Sequence, residues 1–387
     1  MIKSGLDGSK ASVPVDFDWQ AALQLGEEHQ VSSLLDYGLL HTEELTVPQE
    51  VKGTLENQLY TAYTLDLYQK GAIEHISGVF NRNGIRHMFL KGSVLKFVYP
   101  KSEMRHMGDL DILVDMEQAE KITALMREMG FEEQYQTPHE WSWCKSDIIH
   151  VELHKLPIDP DNRLFADYYR DVWTRTIPTG EKTPYSYALS DEDLLIYMFV
   201  HFTKHVYVQG IGLQHVLDFW VLRHARPQMD MTYVRAELQK LRLLTFYENI
   251  ETMLGVWFSD EQPNEVTEFL TQKIFFDGLY GKKQNYASYY AYHVMSGNVD
   301  GQKPRSRLYR CWRILFPDYH SMCRPYPILL QKPVLLPIFW VFRPFDILFR
   351  RRQGIKQRIR YSRLITKENV ASQRALLQKI GLDPEEP

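Results

Sequence analysis

The chain has 387 residues, of which 44% are hydrophobic and 24% are charged. This composition is typical of a globular protein and excludes fibrous and intrinsically disordered classes. The length predicts two or three packed units. Three widely spaced cysteines exclude a disulfide framework and a cysteine-based metal pattern. The net charge of −4 gives no general attraction to nucleic acid. Because the sequence begins without an apolar stretch, we expect a cytoplasmic protein.

In chain order, residues 17–80 space their apolar side chains three and four apart, which predicts helices. Pro48 lies where a helix can begin, because proline is tolerated in the first turn. Asn83-Gly84 supplies a C-terminal stop. Residues 85–90 then predict a short strand, so the pattern changes from helix to sheet at this point.

The next segment predicts a sheet. Lys91-Gly92-Ser93 forms a turn into a helix that we expect to end before Pro100. The further predicted elements are a strand at 109–115, a helix at 116–129 closed by Gly130, and strands at 131–136, 141–145 and 148–154. Ser146-Asp147 is the predicted hairpin turn between the last two strands. We expect Pro157–Pro160 to end this α+β unit.

The remaining sequence is mainly helical. Ser190 is a candidate N-cap, with acidic residues in the turn that follows. Further helices are predicted at 212–223, 231–241 and 244–258, and residues 277–308 predict a loop-rich segment. The predicted units are an N-terminal helical region at 1–80, an α+β core at 81–188, and a mainly helical region with a basic tail at 189–387.

Two carboxylates share one face of the strand at 109–115. Because side chains alternate along a strand, Asp109 and Asp111 point the same way, opposite to the apolar residues. Glu152 adds a third carboxylate opposite the apolar face of a later strand. Like charges at this spacing favour a bound hard cation such as Mg²⁺. On these residues alone, a solvated acidic strand end and the acidic pair of a sugar-nucleotide glycosyltransferase remain alternatives.

The combined pattern resembles a known group of enzymes. Gly92-Ser93 at a helix start, Asp109-Leu110-Asp111 on the next strand and an acid on a later strand resemble the DNA polymerase β-type nucleotidyltransferase superfamily. Lys-Gly in place of Gly-Gly, followed by Arg105 and Asp-Leu-Asp-Ile-Leu-Val, resembles the uncharacterised bacterial nucleotidyltransferase-like family. The resemblance covers residues 20–350. It implies an α+β polymerase β-like core flanked by helical regions, and Mg²⁺-dependent transfer from an NTP, with ATP expected, to a small-molecule or peptide acceptor.

The resemblance also implies roles for individual residues. Asp109, Asp111 and Glu152 would be the catalytic residues and the Mg²⁺ ligands. The expected nucleotide-binding residues are Lys91, Gly92, Ser93, Arg105 and Lys204. The superfamily more often has glycine at the position of Lys91, so this lysine is a departure that matches the narrower family. Surface ion pairing is the alternative role for Lys91 and Arg105.

Three polar residues share one face of the helix that follows Ser190. His201, Lys204 and His205 lie at i, i+3 and i+4. The two histidines have metal-pair spacing, but Lys204 disfavours a cation, so we expect this face to bind phosphate or acceptor. We therefore predict that His201 and His205 contact the substrate, together with His154. A solvated helix face is the alternative.

Other classes of function stay open at this point. Phosphoryl transfer to a peptide or metabolite, as in natural-product tailoring, would use the same fold. A non-catalytic nucleotide-binding module is disfavoured because the three acids are intact. A glycosyltransferase is disfavoured because residues 17–80 predict helices where a βαβ nucleotide-binding unit would precede the acidic pair. Nucleic acid is not the expected acceptor, because no stacking platform interleaved with basic residues lies near the motifs.

The C-terminal region combines apolar and basic segments. Residues 327–342 are apolar but interrupted by Lys332 and prolines, so they predict a buried or interfacial helix and not a membrane span. Basic residues dominate between Arg343 and Arg363. Peripheral contact with an anionic membrane is one interpretation of this pattern, and a packed helix followed by a solvated basic one is the other.

Overall fold

The computed structural model describes residues 1–10, 12–14, 16–42, 47–137, 139–159, 163–208, 212–277, 316–317, 319–323, 326, 328–349 and 367–383. Most of the predicted loop-rich segment and the basic residues from Arg350 to Arg363 lie outside these ranges. The described part is a mixed arrangement of helices around one sheet.

The N-terminal region is helical, as the sequence predicts. Its helices are α1 (Ile2–Asp7), α2 (Trp19–Glu28), α3 (Ser32–Leu39) and α4 (Gln49–Arg82). Pro48 is the N-cap of α4, which runs for 34 residues. Asn83 ends it, and Gly84 follows with φ of +68°, a conformation that glycine adopts without steric cost. The predicted start and stop of this helix are confirmed.

In the described residues, seven strands form one mixed sheet in the order β3-β4-β5-β2-β1-β7-β6. The strands are β1 (His87–Phe89), β2 (Asp109–Val114), β3 (Glu132–Gln136), β4 (Glu140–Lys145), β5 (Ile149–His154), β6 (Thr176–Pro178) and β7 (Ser186–Leu189). The pairs β2–β5 and β1–β7 are parallel, and the remaining pairs are antiparallel. Helices α5 (Gly92–Leu95), α6 (Ala119–Glu128) and α7 (Arg163–Tyr168) lie between strands along the chain.

The hairpin between β4 and β5 turns where the sequence predicts. Ser146 and Asp147 have φ of +54° and +52°, and Lys145 pairs with Ile149 across the turn. Two consecutive positive φ values give the turn the twist that suits a tight hairpin. Its position fixes the register of β5 against β4.

One prediction about this region is wrong. The sheet does not end at Pro157–Pro160, because β7 pairs with β1 and β6 pairs with β7. These strands have only three or four residues, and Pro178 lies on the edge strand, so neither carries a clear alternating pattern. The helix after Lys91 ends before Pro100, as predicted. It ends at Leu95 after a single turn.

The sheet has one apolar face and one polar face near β2. Leu110, Ile112 and Val114 of β2 pack against α4 and α6 in a buried cluster. Helices α4 and α6 therefore cover that face. By strand alternation, the acidic residues of β2 and β5 lie on the opposite face, which leaves them accessible to the helices that come later in the chain.

Those later helices complete the fold. They are α8 (Asp191–Val208), α9 (Leu213–Ala225), α10 (Met231–Lys240), α11 (Leu244–Phe258), α12 (Glu265–Asp277), α13 (Tyr319–Cys323), α14 (Ile328–Gln331), α15 (Leu336–Phe349) and α16 (Lys367–Lys379). The hydroxyl of Ser190 accepts a hydrogen bond from the Asp193 N–H at 3.1 Å, which confirms the predicted cap. One apolar core joins Leu34 of α3, Met88 of β1 and residues of α8–α12. The boundaries at residues 80 and 188 stay predictions. None of the helices that the structure describes is long and apolar enough to cross a membrane.

Candidate active site

The acidic residues lie on three neighbouring strands. In the parallel β2–β5 pair, Asp111 is opposite Glu152, whereas Asp109 is opposite His150. In the antiparallel β4–β5 pair, Glu140 is opposite His154. The register therefore places these polar side chains side by side on the face of the sheet that α4 and α6 leave open.

Three of these side chains converge on one point. The ligand atoms of Asp111, Glu152 and His154 lie within 4.8 Å of one another, and this is the one such group in the part of the chain that the structure describes. His154 Nε2 lies 2.7 Å from Asp111 Oδ1 and 3.8 Å from Glu152 Oε2. Asp109, at an exposed position nearer the start of β2, is not a member. The convergent group thus differs from the predicted trio, because the register pairs Asp109 with His150; Asp109 as a metal ligand stays a prediction.

Lys91 brings a positive charge to the same carboxylate. Its Nζ donates a hydrogen bond to Asp111 Oδ1 at 2.7 Å. Its φ of +48° lies in the region that favours glycine, and such a conformation costs about 1–3 kcal/mol. Burial lowers the pKa of Lys91, but the Asp111 carboxylate outweighs this effect and raises it overall. A strained backbone at this position therefore carries an ammonium directly to the acidic group.

The two clustered carboxylates have opposite protonation tendencies. Burial alone would raise the pKa of Asp111, but Lys91 and His154 hold it well below its ordinary value. Burial, followed by the charge of Asp111, raises the pKa of Glu152 to about 7, although Lys91 opposes the shift. Asp111 is therefore ionised near neutral pH while Glu152 exchanges its proton there, which is the behaviour of a group that can accept a proton.

The turn before α5 is hydrogen-bonded to the backbone of β2 at Asp111, one of the residues that converge with Glu152 and His154. The Ser93 hydroxyl accepts a hydrogen bond from the Asp111 N–H at 3.1 Å, and Ser93 is 2% exposed. A Cβ added at Gly92 would collide with the guanidinium of Arg105. The sequence predicts that Gly92 and Ser93 contact a phosphate. In the structure both residues are buried, Ser93 against the backbone of β2 and Gly92 against Arg105, and their contact with phosphate stays a prediction.

Arg105 is engaged in a buried ion pair. Its Nε and Nη2 donate to the two carboxylate oxygens of Asp218 at 3.2 and 2.9 Å, and its Nη1 donates to the His106 carbonyl at 2.9 Å. The Tyr99 hydroxyl donates to Asp218 at 2.8 Å. Most of the donors with which Arg105 was expected to grip phosphate are therefore occupied. The alternative of a surface ion pair is wrong, because Arg105 is 9% exposed and its partner lies on α9, whereas phosphate binding by Arg105 stays a prediction.

A family model described as an uncharacterised nucleotidyltransferase matches residues 15–259. The chain belongs to this family. The match confirms the resemblance found in the sequence as far as residue 259, and its extension to residue 350 stays a prediction. The matched residues span α2 to α11 and include Asp111, Glu152 and His154. No curated protein and no solved structure matches the chain.

In this nucleotidyltransferase family member, α8 presents a row of histidines and a lysine. The rings of His201 and His205 lie 4.6 Å apart between centroids, and His205 stacks on His215 of α9 at 4.9 Å. Burial, followed by the charge of Lys91, lowers the pKa of His201 well below its ordinary value, so this imidazole is neutral. Burial, followed by the charge of Lys91, lowers the pKa of Lys204, while the carboxylates of Asp159, Glu140 and Glu152 oppose this shift. The polar face of α8 therefore lies across from the acidic face of the sheet.

Several polar contacts in the structure have no motif in the sequence. The Tyr135 hydroxyl lies 3.4 Å from carboxylate oxygens of both Glu140 and Glu152. Lys96 is fully buried, with Nζ 2.8 Å from Asp66 Oδ1 and 2.6 Å from Gln69 Oε1. Asp66 and Gln69 lie at i and i+3 on α4, so their spacing places them on one face of the helix. The same spacing is typical of a solvated helix face, so it does not predict that Lys96 binds there.

The raised pKa of Glu152 predicts a pH-dependent stability. Between its ordinary pKa of 4.5 and about 7, the folded state binds more protons than the unfolded state, so the wild type loses stability as the pH rises. The loss amounts to about 3 kcal/mol at most. Glu152→Gln is neutral in both states, so its stability relative to the wild type should increase from pH 5 to 8.

Urea unfolding at several pH values in EDTA measures this difference. EDTA matters because a bound cation would favour the ionised carboxylate. Glu132→Gln, at an exposed position on β3, is the matched control and should not change the pH profile. Parallel profiles for the wild type and Glu152→Gln would contradict the assignment.

Proposed function

We propose that the chain is a Mg²⁺-dependent nucleotidyltransferase with a polymerase β-like core. It transfers a nucleotidyl group from an NTP, with ATP as the expected donor, to a hydroxyl or phosphate of a small molecule or peptide. The observation that carries the proposal is the convergence of Asp111, Glu152 and His154 within 4.8 Å in a member of a nucleotidyltransferase family.

The chemistry of the acidic group fits a hard cation. Asp111 and Glu152 supply carboxylate oxygens, which Mg²⁺ prefers, and Asp109 adds another on the same face. A nitrogen ligand suits Mg²⁺ poorly, so we assign His154 the role of orienting Asp111, to which it lies at 2.7 Å. Bound there with the NTP, Mg²⁺ would neutralise triphosphate charge and polarise the reacting phosphate.

The remaining charges suit the substrates of this reaction. Lys91, which is bonded to Asp111, and Lys204, whose charge interacts with Glu140 and Glu152, would hold the triphosphate. The Glu152 carboxylate would take the proton that the acceptor hydroxyl loses as it attacks the α-phosphorus, with pyrophosphate as the leaving group. His201 and His205 lie on the same face of α8 as Lys204 and would contact the acceptor.

Arg105 and Ser93 have supporting roles in this proposal. The Arg105–Asp218 pair fixes the guanidinium against Gly92, and the Ser93 hydroxyl ties the turn to the Asp111 backbone. Both contacts position the turn that carries Lys91. We therefore assign them to positioning in place of the phosphate contact predicted from the sequence.

The reaction type is tested with labelled nucleotide. The protein is incubated with Mg²⁺, ATP labelled at either the α- or the γ-phosphate, and a small-molecule and peptide extract. Transfer of the α-label with release of pyrophosphate supports nucleotidyl transfer. Transfer of the γ-label would replace it with phosphoryl transfer. Absence of Mg²⁺-dependent NTP binding in calorimetry, for all four common NTPs, would overturn the proposal.

Lys204 provides a sharper test of the NTP site. Lys204→Ala removes an ammonium that faces the acidic cluster, so we expect Mg²⁺·ATP affinity to fall by about 10- to 100-fold, the value of a charge-assisted phosphate contact of about 1.5–3 kcal/mol. Calorimetric titration measures the change. Lys52→Ala on α4 removes an exposed lysine that pairs only loosely with Glu56 at 3.9 Å, and should leave affinity unchanged. Equal affinity for both variants would remove α8 from the site.

A further inference from the structure

Helix α15 has two apolar stripes on opposite sides. Leu336, Phe339 and Trp340 pack against a small cluster formed by Met322, Cys323 and Leu329. Ile338, Val341, Phe342 and Phe345 point away from it and are 60%, 67%, 65% and 59% exposed. These four residues, spaced i, i+3, i+4 and i+7, form one continuous stripe. We call them the outer stripe of α15.

The outer stripe is not the surface of an ordinary solvated helix. A water-facing helix normally carries charged residues at these positions. Here the charged side chains of α15 are directed elsewhere: Arg343 is 7% exposed with Nη1 3.5 Å from Met322 Sδ, and Asp346 accepts a hydrogen bond from the Tyr326 hydroxyl at 2.7 Å. Val334, just before the helix, is a further exposed apolar residue, at 82%. Such a contiguous patch indicates a binding surface.

The charge of the neighbouring sequence indicates what binds there. The residues after α15 include Arg350, Arg351, Arg352, Lys356, Arg358, Arg360 and Arg363, and no acidic residue occurs between Asp346 and Glu368. Lys332, which precedes the helix in the chain, is exposed. Each Lys or Arg near an anionic leaflet adds attraction, while an apolar stripe enters the boundary between headgroups and acyl chains. An apolar stripe with adjoining basic residues is therefore complementary to an anionic lipid surface.

The length of α15 limits how the helix can lie relative to a membrane. The 14 residues of α15 extend roughly 21 Å, which is shorter than the roughly 30 Å hydrocarbon core. The helix can lie in the plane of the interface but cannot cross the bilayer.

We propose that the outer stripe of α15 docks the protein on anionic membrane surfaces, with the helix in the interfacial plane. The stripe lies beyond residue 259, where the match to the nucleotidyltransferase family ends. The docking surface therefore does not depend on the proposed reaction, and either proposal can fail alone.

Vesicle flotation tests the surface with the full-length chain. We expect the wild type to float with vesicles containing phosphatidylglycerol, to bind phosphatidylcholine vesicles at least about tenfold more weakly, and to be released by high salt. Phe342→Asp/Phe345→Asp should reduce partitioning by about tenfold or more, since two aromatic side chains no longer enter the interface. Absence of binding to anionic vesicles, or equal binding to both lipid compositions, would overturn the proposal.

A matched control separates this effect from added negative charge. Leu67 and Tyr68 of α4 are 52% and 56% exposed, so Leu67→Asp/Tyr68→Asp makes the same change elsewhere. This control should float like the wild type, and circular dichroism checks that both variants are folded. Equal loss in the two variants contradicts docking through α15. A wild-type dimer in light scattering that Phe342→Asp/Phe345→Asp dissociates, without vesicle binding, would identify a second copy as the occupant.

Discussion

Asp111→Asn is expected to abolish Mg²⁺-dependent turnover of NTP, with a loss of roughly a thousandfold or more. Asp111 is the carboxylate on which Lys91 and His154 both converge, each at 2.7 Å, and it is held ionised. An amide binds Mg²⁺ much more weakly and carries no charge, so several kcal/mol of charge stabilisation are lost. Calorimetry with Mg²⁺·ATP and the labelled-ATP assay measure the two losses.

The same change should have a smaller effect on the fold. Asparagine keeps the size of the side chain, but Lys91 loses its counter-charge at a partly buried position. We expect about 1–3 kcal/mol of destabilisation in urea unfolding, below the cost of breaking a fully buried pair. Asp115→Asn, at the residue after β2, is the matched control, because its side chain accepts a hydrogen bond from the Glu117 N–H, which an amide oxygen also accepts. Wild-type turnover in Asp111→Asn would make Asp111 a structural residue.

The local sequence pattern identified the strands that carry Asp111, Glu152 and His154. Alternation along β2 and β5 predicted that Asp111 and Glu152 lie opposite their apolar faces, and Asn83-Gly84 and Ser146-Asp147 predicted where the chain turns. These signals depend on residues a few positions apart. The family itself followed from the same short motifs, and the match to residues 15–259 confirms it.

Contacts between residues that are distant in the sequence could not be predicted from such local patterns. Arg105 and Asp218 are 113 positions apart, and nothing near either residue specifies the other. The exclusion of Asp109 from the convergent group depends on the exact register of β2 against β5, which periodicity does not set. The short motif therefore indicated the right location, but it could not show that Ser93 and Arg105 also make contacts inside the protein, with the Asp111 backbone and with Asp218.

The Arg105–Asp218 pair leads to the largest expected change in stability. Arg105→Met leaves the Asp218 carboxylate, which is 3% exposed, with Tyr99 as its remaining hydrogen-bond partner among the contacts described above. An uncompensated buried charge costs about 3–5 kcal/mol, so we expect a loss of that size in urea unfolding. Asp218→Leu should cost about as much, because it leaves a buried guanidinium.

The double variant separates the effect of the pair on the position of the Lys91 turn from its effect on the free energy of unfolding. Arg105→Met/Asp218→Leu removes both charges, so most of the lost stability should return, since apolar replacement of a buried pair is often neutral. Mg²⁺·ATP affinity should remain reduced in this stable variant, because the guanidinium no longer packs on Gly92 behind the turn that carries Lys91. The exposed Arg226–Asp191 pair, at 3.3 Å, is the matched control, with an expected coupling energy of less than about 1 kcal/mol. A coupling energy for Arg105–Asp218 no larger than this, or full ATP affinity in the double variant, would show that the pair does not position the site.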